Sequence, residues 1–353
     1  MTLLEAVDEA AALEHLHELG CTDGLPVVIP TPERVDRMVL ACGYDPDLLL
    51  GEMGPALGAC TIGHVAACAV MAGCLPDHMP VVVAAVRAVL DPSFDCTEMQ
   101  ATTHSIAPLV IVNGPAIEWC GLHGGFGALG PGYRANASIG RALRLTMINV
   151  GGGRAGTSDM ALLGHAGKFT MCLAEDQQAS PFEPLHVARG FDADQSVVTV
   201  IGTDAPASVM GVVDADDPTS PDRLLTSLSC GFSSVTTNNA ALRYGQAALA
   251  LNPDHADALA AAGHTRSSIQ EAVLERAVVS GAVLGASAAT MGSVDPDREY
   301  SCFASPEDLV VFVAGGGGLY SAAFASWCAG PNRNRSVSME IEVGQACEIP
   351  GFA

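Results

Sequence analysis

The sequence predicts an α/β or α+β fold, built as two lobes of mixed sheet with flanking helices. Two observations lead to this class. Short apolar runs such as LVIVNGP and LVVFVAGGG end at Asn or Gly, which is typical of strands that are buried on both faces. Between such runs lie longer segments that begin at Thr or Pro and end at Gly, which is typical of capped helices. Strands that alternate with helices favour this architecture.

The N-terminal segment is predicted to contain helices around one short strand. Thr2 and Glu5 form a capping box that opens a helix over 3–19, and Gly20 ends this helix. The run DGLPVVIP indicates a buried strand. Further helices are predicted after Thr31, Thr61 and Pro80.

The middle of the chain alternates strands with a glycine-rich loop and a helix. The run APLVIVNGP predicts a buried strand, and residues 120–135 are rich in glycine and fit neither a helical nor a strand period. A helix with Asn136 or Ser138 at its start follows. Strands are then predicted at KFTMCLAED and SVVTVIG.

An Asp- and Pro-rich linker at 214–222 divides the chain into an N-terminal lobe, 1–213, and a C-terminal lobe, 223–353. The second lobe is predicted to hold a strand at QAALALN, two helices, a strand at LVVFVA, and a helix that starts after the glycines 315–318. VVIPTPERV is echoed by ALALNPDHA, and LVIVNGP by LVVFVAGGG. These echoes suggest an ancient duplication with two lobes facing each other across a cleft; chance similarity is the alternative.

Charge and composition exclude several classes of protein. The chain has 39 acidic and 16 basic residues, a balance opposite to that of proteins that bind nucleic acids or anionic membranes. No apolar run reaches the length of a membrane span. The 12 cysteines include no CxxC pair, and the N-terminal residues lack a basic signal region, so we expect a cytoplasmic protein with reduced, mostly buried thiols. Because only 16% of residues are charged, a homo-oligomer is expected.

The basic residues are fifteen arginines and one lysine, Lys168. Arg cannot release its proton near neutral pH, whereas a desolvated Lys can, so a single Lys points to a site that needs an amine. The run GHAGKFTMCLAED places His165 and Glu175 near Lys168 in sequence. In the predicted strand, Lys168, Thr170 and Cys172 share one face. A solvated lysine in a hairpin loop is the alternative.

A second candidate group flanks the strand APLVIVN. Thr103 and His104 come immediately before this strand, and Asn113 lies at its end, where open α/β sheets commonly bind ligands. His is the natural group for proton transfer near neutral pH. A hydrogen-bonded structural His is the alternative.

A third group consists of arginines near the glycine-rich loop. Arg134, Asn136 and Arg141 lie at the start of the predicted helix, where backbone amides favour an anion. Salt bridges to the many acidic residues are the alternative role, and they are favoured more for Arg144 and Arg154 than for Arg134 and Arg141.

Cys74 is a further catalytic candidate. It follows Gly73 at a helix C-terminus, where the helix dipole disfavours a thiolate.

Several strings together resemble one known family. They are DGLPVVIPTPERV, VMAGCLPDHMPVV, TTHSIAPLVIVNGP, RANASIGRALRL and GHAGKFTMCLAED. They are similar to a poorly characterised family of bacterial proteins associated with thiol and selenol proteins that are named for a UGSC tetrad. The resemblance covers most of the chain, but this sequence contains no Cys-Gly-Ser-Cys. It implies that these strings form one site and implies no particular reaction.

These observations predict an enzyme that acts on a small anionic metabolite, most simply a carboxylate. Lys168 and His165 would supply acid–base chemistry or an amine, with His104, Glu175 and Cys74 as further catalytic candidates. A lyase or addition–elimination reaction fits, because no cofactor fingerprint is present. The substrate-binding candidates are Arg134, Arg141, Asn113, Asn136 and Thr103.

Two other functions stay open from the sequence. One is a divalent-metal enzyme that uses scattered histidines with carboxylates, although no HxH or HExxH spacing occurs. The other is a non-catalytic binding protein or a subunit of a complex, which a large apolar surface patch without a cleft would favour.

Overall fold

The computed structural model of the chain describes residues 4–288 and 292–342. It confirms the predicted α/β class, with helices and mixed sheets alternating along the chain. The α-helices in these ranges are α1 (Glu9–Glu18), α2 (Pro32–Cys42), α3 (Ile62–Ala72), α4 (Met79–Leu90), α5 (Cys96–Ala101), α6 (Ala116–Cys120), α7 (Arg134–Asn149), α8 (Leu185–Ala188), α9 (Ser220–Ser233), α10 (Asn238–Leu242), α11 (Pro253–Ala261), α12 (Arg266–Arg276) and α13 (Gly281–Ala286). The strands are β1 (Leu49–Met53), β2 (Gly58–Thr61), β3 (Ala107–Asn113), β4 (Cys172–Ala174), β5 (Val197–Thr203), β6 (Ala207–Met210), β7 (Ala247–Leu251), β8 (Val278–Ser280), β9 (Glu299–Ser301), β10 (Leu309–Val313), β11 (Tyr320–Phe324) and β12 (Val337–Glu340).

Two four-stranded sheets form the centre of the molecule, and they share one topology. Their strand orders are β4–β3–β5–β12 and β10–β7–β11–β6. In each sheet the first two strands are parallel, and the other two neighbouring pairs are antiparallel. Equivalent hydrogen bonds mark the end of each central strand: Glu175 N donates to Val112 O, and Ala314 N donates to Leu251 O. The shared topology supports an internal duplication.

The fourth strand of each sheet comes from the other half of the chain. Strand β6 precedes the linker at 214–222 and pairs with β11, whereas β12 lies near the end of the described residues and pairs with β5. If the chain is divided at 213–223, β6 belongs to the N-terminal lobe but pairs in the sheet of the C-terminal lobe, and β12 does the reverse. The domain limits themselves stay a prediction.

Alternate residues of the central strands face two different apolar layers. In β3, Val110 and Val112 pack against α3, α4 and α7, while Leu109 and Ile111 face the other sheet. In β10, Val311 packs toward α9 and α12, and Phe312 faces the first sheet. The order of layers is thus helix, sheet, sheet, helix. The two sheets meet through a packed apolar layer and not across the open cleft that the sequence suggested.

Helix caps agree with the sequence where the capping residues are local. Thr31 and Gly43 cap α2, and Thr61 and Gly73 cap α3, as predicted. Helix α1 begins after Asp8, whose side chain accepts from Ala11 N, so the predicted helix is wrong for residues 4–8; the predicted capping residue Thr2 lies outside the described residues. Eight of the eleven described cysteines are buried, in agreement with their predicted place in the core.

Four other local predictions are wrong. The run DGLPVVIP is irregular rather than a strand, since it packs at the surface between α1 and α2. The segment after glycines 315–318 is strand β11, because it pairs with β7 and β6. Helix α7 begins at Arg134, since the Asn136 side chain bonds the glycine-rich loop instead of capping the helix. Strand β4 begins at Cys172, so Lys168 and Thr170 lie outside it.

Residues 4–75 form a segment without an equivalent in the second half. Its helices α2 and α3 pack against α4 and α7, on the outer face of the first sheet. Within the described ranges, no helix has the length and apolar character needed to span a membrane.

Candidate functional site

Lys168 lies at the end of a single 3₁₀ turn, residues 166–168, just before β4. Its Nζ donates to Ile106 O at 3.2 Å and contacts both carboxylate oxygens of Asp159 at 2.9 and 3.0 Å. Only 16% of the Lys168 side chain is exposed. The amine is therefore held in one place by the segment that enters β3 and by the loop that follows α7.

Arg144 approaches the same carboxylate from α7. Its Nη1 lies 3.7 Å from Asp159 Oδ2, and its side chain is only 7% exposed. Nε and Nη2 of Arg144 are buried and have no hydrogen-bond partner in the described part of the chain. Buried guanidinium donors are nearly always paired in native proteins, so a water molecule or a ligand atom is needed to complete the hydrogen bonds of these two donors.

Lys168 and Arg144 line an open cavity of about 340 Å³, here called the Lys168 pocket. The apolar part of its wall includes Ile148 and Phe169. The full lining is Gly20, Thr22, Asp23, Arg144, Ile148, Gly153, Arg154, Ala155, Asp159, Lys168 and Phe169. The pocket thus lies between α7, the loop after α7, and the N-terminal segment.

The Lys168 pocket carries a positive charge within a strongly acidic chain. Its three cations are Lys168, Arg144 and Arg154, and its two carboxylates are Asp23 and Asp159. Asp23 is already paired with Arg141 at 2.7 and 2.8 Å, outside the lining. Three cations therefore face one remaining carboxylate. Such a pocket attracts a small anion even though the chain as a whole repels one.

Several groups around Lys168 act on the pKa of its amine. Burial lowers the pKa of Lys168, and the Arg144 charge lowers it further, while Asp159 opposes both effects. Burial likewise lowers the pKa of Arg144. The net effect is a pKa of Lys168 below its ordinary value, and Asp159 lies in position to exchange a proton with the amine.

His165 belongs to the same turn as Lys168. Its Nδ1 accepts from Gly167 N at 3.1 Å, so the proton of the neutral ring is on Nε2. Nε2 is buried and has no partner among the described residues. Burial lowers the pKa of His165, against the opposing effect of Asp204. His165 is therefore a neutral imidazole with one unsatisfied donor, but it does not line the Lys168 pocket.

His104 has both ring nitrogens engaged. Asn238 Nδ2 donates to Nδ1 at 3.0 Å, and Nε2 donates to Asp204 Oδ2 at 3.0 Å. The imidazole thus bridges the two halves of the chain and has no free nitrogen for a substrate. This geometry agrees with the structural alternative stated from the sequence.

Glu175 and Asn113 lie at the opposite end of β4 from Lys168. Glu175 is 1% exposed and accepts from Arg266 Nη2 at 3.1 Å, from Leu185 N at 2.7 Å and from Asn113 Nδ2. Burial raises the pKa of Glu175, while the Arg266 charge opposes this effect. This buried group joins the two sheets and is separate from the Lys168 pocket.

The other substrate-binding candidates have structural partners. Arg134 donates to Gly73 O at 3.1 and 2.9 Å, and Arg141 is paired with Asp23. Asn136 binds the backbone of His123 and Ala128, which fixes the glycine-rich loop.

Cys74 and Thr103 also lie outside the pocket. Cys74 is buried, and burial raises the pKa of its thiol well above the usual range. Thr103 is exposed, and its carbonyl accepts from Leu162 N at 3.0 Å. Of the predicted site residues, the structure therefore places only Lys168 in the pocket, with His165 on the same turn.

Arg144, Arg154 and Asp159 are the residues that sequence reasoning did not select. The spacing of Arg141 and Arg144 was a usable signal, because residues three apart share a helix face. No local pattern marked Asp159. In residues 4–288 and 292–342, no group of three His, Cys, Asp or Glu side chains is placed to hold a metal ion.

No family model, no curated protein and no solved structure matches the chain. The resemblance to the UGSC-associated family stays a prediction. A functional assignment therefore depends on the geometry of the Lys168 pocket.

Proposed function

We propose that the chain is an enzyme that binds a small carboxylate-bearing metabolite in the Lys168 pocket and processes it by addition–elimination. The observation that carries this proposal is the cluster of Lys168, Arg144 and Arg154 around one cavity, in which Arg144 has two donors without a partner among the described residues. In this reaction class, a group that moves a proton and cations that stabilise an anion suffice.

The pocket suits a small ligand with one charged end. Its volume of about 340 Å³ lies at the lower end of the range for small-molecule sites. A carboxylate accepts two parallel hydrogen bonds from an arginine, and Nε with Nη2 is one of the edges that bind in this way. Ile148 and Phe169 would contact the apolar part of the ligand.

Lys168 and Asp159 provide the route for the proton. The two groups are in direct contact, and burial lowers the pKa of the amine. Lys168 would take or give the proton of the reacting carbon or leaving group, and Asp159 would hold the amine in position. We place the enzyme in the cytoplasm, as the reduced cysteines suggest.

One surface feature favours a complex as a second candidate role. Leu162 and Leu163 are 84% and 94% exposed and belong to the loop that leads to Lys168. Exposed apolar side chains in a contiguous patch favour an interface. We expect a homo-oligomer that covers them, and size-exclusion chromatography with light scattering would measure the oligomeric state of the wild type and of Leu163→Ser.

The carboxylate site is tested with Arg144→Met. We expect acetate, pyruvate, malonate or succinate to bind the wild type in calorimetry, and we expect the variant to bind about 10- to 100-fold more weakly, which corresponds to about 1.4–2.8 kcal/mol. Without ligand, the variant should be at least as stable as the wild type in urea, because an unpaired buried donor costs about 1–3 kcal/mol.

The matched control is Arg223→Met, which removes an exposed arginine paired with Asp217. It should leave carboxylate binding unchanged. Equal carboxylate affinities of the wild type and Arg144→Met would contradict the proposal, as would a wild type that binds none of the four acids.

A further inference from the structure

We propose that a second cavity binds the phosphoryl group of a small phosphate monoester, independently of the carboxylate site. This cavity, here called the Arg134 cavity, has a volume of about 210 Å³, and its lining shares no residue with that of the Lys168 pocket. Most of its wall comes from α2, from α3 with the turn after it, and from the first residue of α7. The full lining is Val28, Arg34, Arg37, Met38, Val70, Gly73, Cys74, Leu75, Pro76 and Arg134.

Three arginines and no carboxylate line the Arg134 cavity. Such a cluster stands out in a chain with 39 acidic and 16 basic residues. Arg34 forms an ion pair with Glu9 at 3.0 Å, whereas Arg37 and Arg134 have no carboxylate partner within residues 4–288 and 292–342. The cavity is therefore a second positively charged place on an acidic chain, and it attracts small anions.

The free donors of Arg37 and Arg134 are accessible, because both residues are exposed. Arg134 donates through Nε and Nη2 to Gly73 O, at 3.1 and 2.9 Å, and its Nη1 has no acceptor in the described part of the chain. Arg37 donates through Nε to Glu33 O at 3.3 Å, and neither of its Nη atoms has an acceptor there. Each guanidinium group is thus anchored to the backbone while its outer nitrogens are available to a ligand.

The charges of the Arg134 cavity favour a dianion. Arg37 and Arg134 supply two positive charges, and the adjoining Asp36 and Asp77 do not line the cavity. A phosphate monoester carries a charge of about −1.5 to −2 at pH 7, and its oxygens match the donor geometry of guanidinium groups. Arg134 is also the first residue of α7, whose N-terminus has no side-chain cap, and the partial positive charge of a helix N-terminus favours phosphate.

The apolar wall of the Arg134 cavity limits the rest of the ligand. A volume of about 210 Å³ lies below the usual range for small-molecule sites, so the cavity admits a phosphoryl group with a small organic part. Val28 and Leu75 are 43% and 41% exposed and give the cavity an apolar side together with Met38. An apolar organic part would add to the affinity when it covers these side chains. Phenyl phosphate has both features and is a suitable probe.

Calorimetry with phenyl phosphate on the full chain tests the proposal. Arg37→Gln should bind phenyl phosphate about 5- to 10-fold more weakly than the wild type, because it loses a charge-assisted hydrogen bond. Benzenesulfonate has the same ring and a single negative charge, and it should bind the wild type more weakly than phenyl phosphate does. Inorganic phosphate, which lacks the ring, should also bind more weakly. Because Arg37 is exposed, the variant should fold, and circular dichroism verifies this.

Two control variants locate the binding. Arg223→Gln removes one exposed positive charge elsewhere, and it should bind phenyl phosphate like the wild type. Arg144→Met should do the same, because Arg144 lies ten residues after Arg134 on α7, a rise of about 15 Å. A loss of affinity in Arg144→Met but not in Arg37→Gln would place the phosphoryl group in the Lys168 pocket and overturn the proposal. A wild type that does not bind phenyl phosphate, or that binds benzenesulfonate equally well, would overturn it too.

Discussion

Arg141 and Arg144 lie one turn apart on α7 and differ in how their donors are used. Arg141 makes a bidentate pair with Asp23 and also donates to the backbone of residues 25 and 26. Arg144 is more deeply buried and leaves two donors unpaired. A protein tolerates such a cost where function needs it. Under the proposed function, this difference makes Arg144 the binding residue and Arg141 a structural residue.

His78 makes the stability of the fold depend on pH. It is 1% exposed, and its Nδ1 accepts from Leu75 N at 3.2 Å. Burial, together with the charge of Arg134, lowers the pKa of His78 to about 4. Between pH 6.5 and 4 the unfolded chain binds a proton at this residue and the folded chain does not. The free energy of unfolding therefore falls on acidification through this window, by about 3 kcal/mol from this residue.

His78→Asn retains an acceptor for Leu75 N and does not titrate. In urea unfolding between pH 7 and 4, its free energy of unfolding should fall by about 3 kcal/mol less than that of the wild type. His15→Gln is the control, since His15 lies on the exposed surface of α1. A variant with the pH dependence of the wild type would show that His78 does not contribute.

Helix α7 carries Arg144, and Gly140 allows α7 to pack closely against the residues at the start of β4. A Cβ on Gly140 would overlap Thr170 Oγ1 and would lie 3.0 Å from Met171 N and 3.1 Å from Cys172 Cβ. We expect Gly140→Ala to lower the free energy of unfolding by up to about 2 kcal/mol, because overpacking costs about 1–3 kcal/mol and the gain in helix propensity is about 1 kcal/mol. Urea unfolding measures this loss.

Gly285→Ala is the matched control for Gly140→Ala. Gly285 also lies in a helix, α13, but among the residues that the structure describes its Cβ would meet only a methyl group of Val294, at 3.3 Å. Its effect on the free energy of unfolding should be close to zero or stabilising. If both glycines respond alike, close packing between α7 and the start of β4 is not what requires Gly140.

At the scale of elements, local signals predicted helices better than strands. The caps of α2 and α3 depend on side chains within three residues of the helix, so the sequence contains them directly. Strand β11 depends on pairing with β6 and β7, which lie more than 60 residues away in the sequence. Asp159 presents the same difficulty, because it acquires its role only when α7 and the turn at Lys168 meet.

The shared topology of the two sheets also explains why the repeat was only partly visible in sequence. The sequence paired LVIVNGP with LVVFVAGGG, whereas the sheet orders make β3 equivalent to β7 and β4 equivalent to β10. The run LVIVNGP therefore corresponds to ALALNP, and each ends in an Asn next to a helix. The apolar strands of both sheets look alike in composition, so composition alone cannot give the pairing.

The Lys168 pocket lies where the repeated and unrepeated parts of the chain meet. Arg144 and Lys168 come from the first repeat, whereas Gly20, Thr22 and Asp23 come from the N-terminal segment that the second half lacks. The two sheets of like topology therefore lie beside a segment that has no counterpart in the second half, and this segment forms one wall of the pocket.

Strands β6 and β12 each belong to the sheet of the other half of the chain. We therefore expect the two halves to remain together after the linker is cut. A protease recognition sequence inserted between Asp216 and Asp217 lies in an exposed stretch of the linker. After cleavage, both fragments should elute as one species without denaturant. Each sheet then still contains a strand from the other fragment, and the buried pair Glu175–Arg266 also spans the cut.

The uncut insertion variant is the control for this experiment, and it should unfold in urea in one transition like the wild type. The cut chain should become less stable on dilution, because its unfolding separates two molecules and depends on their concentration. Fragments that separate in native buffer would contradict the exchange of strands. They would mean that the apolar layer between the sheets and the strands β6 and β12 hold the two halves together less strongly than the covalent link at 214–222 does.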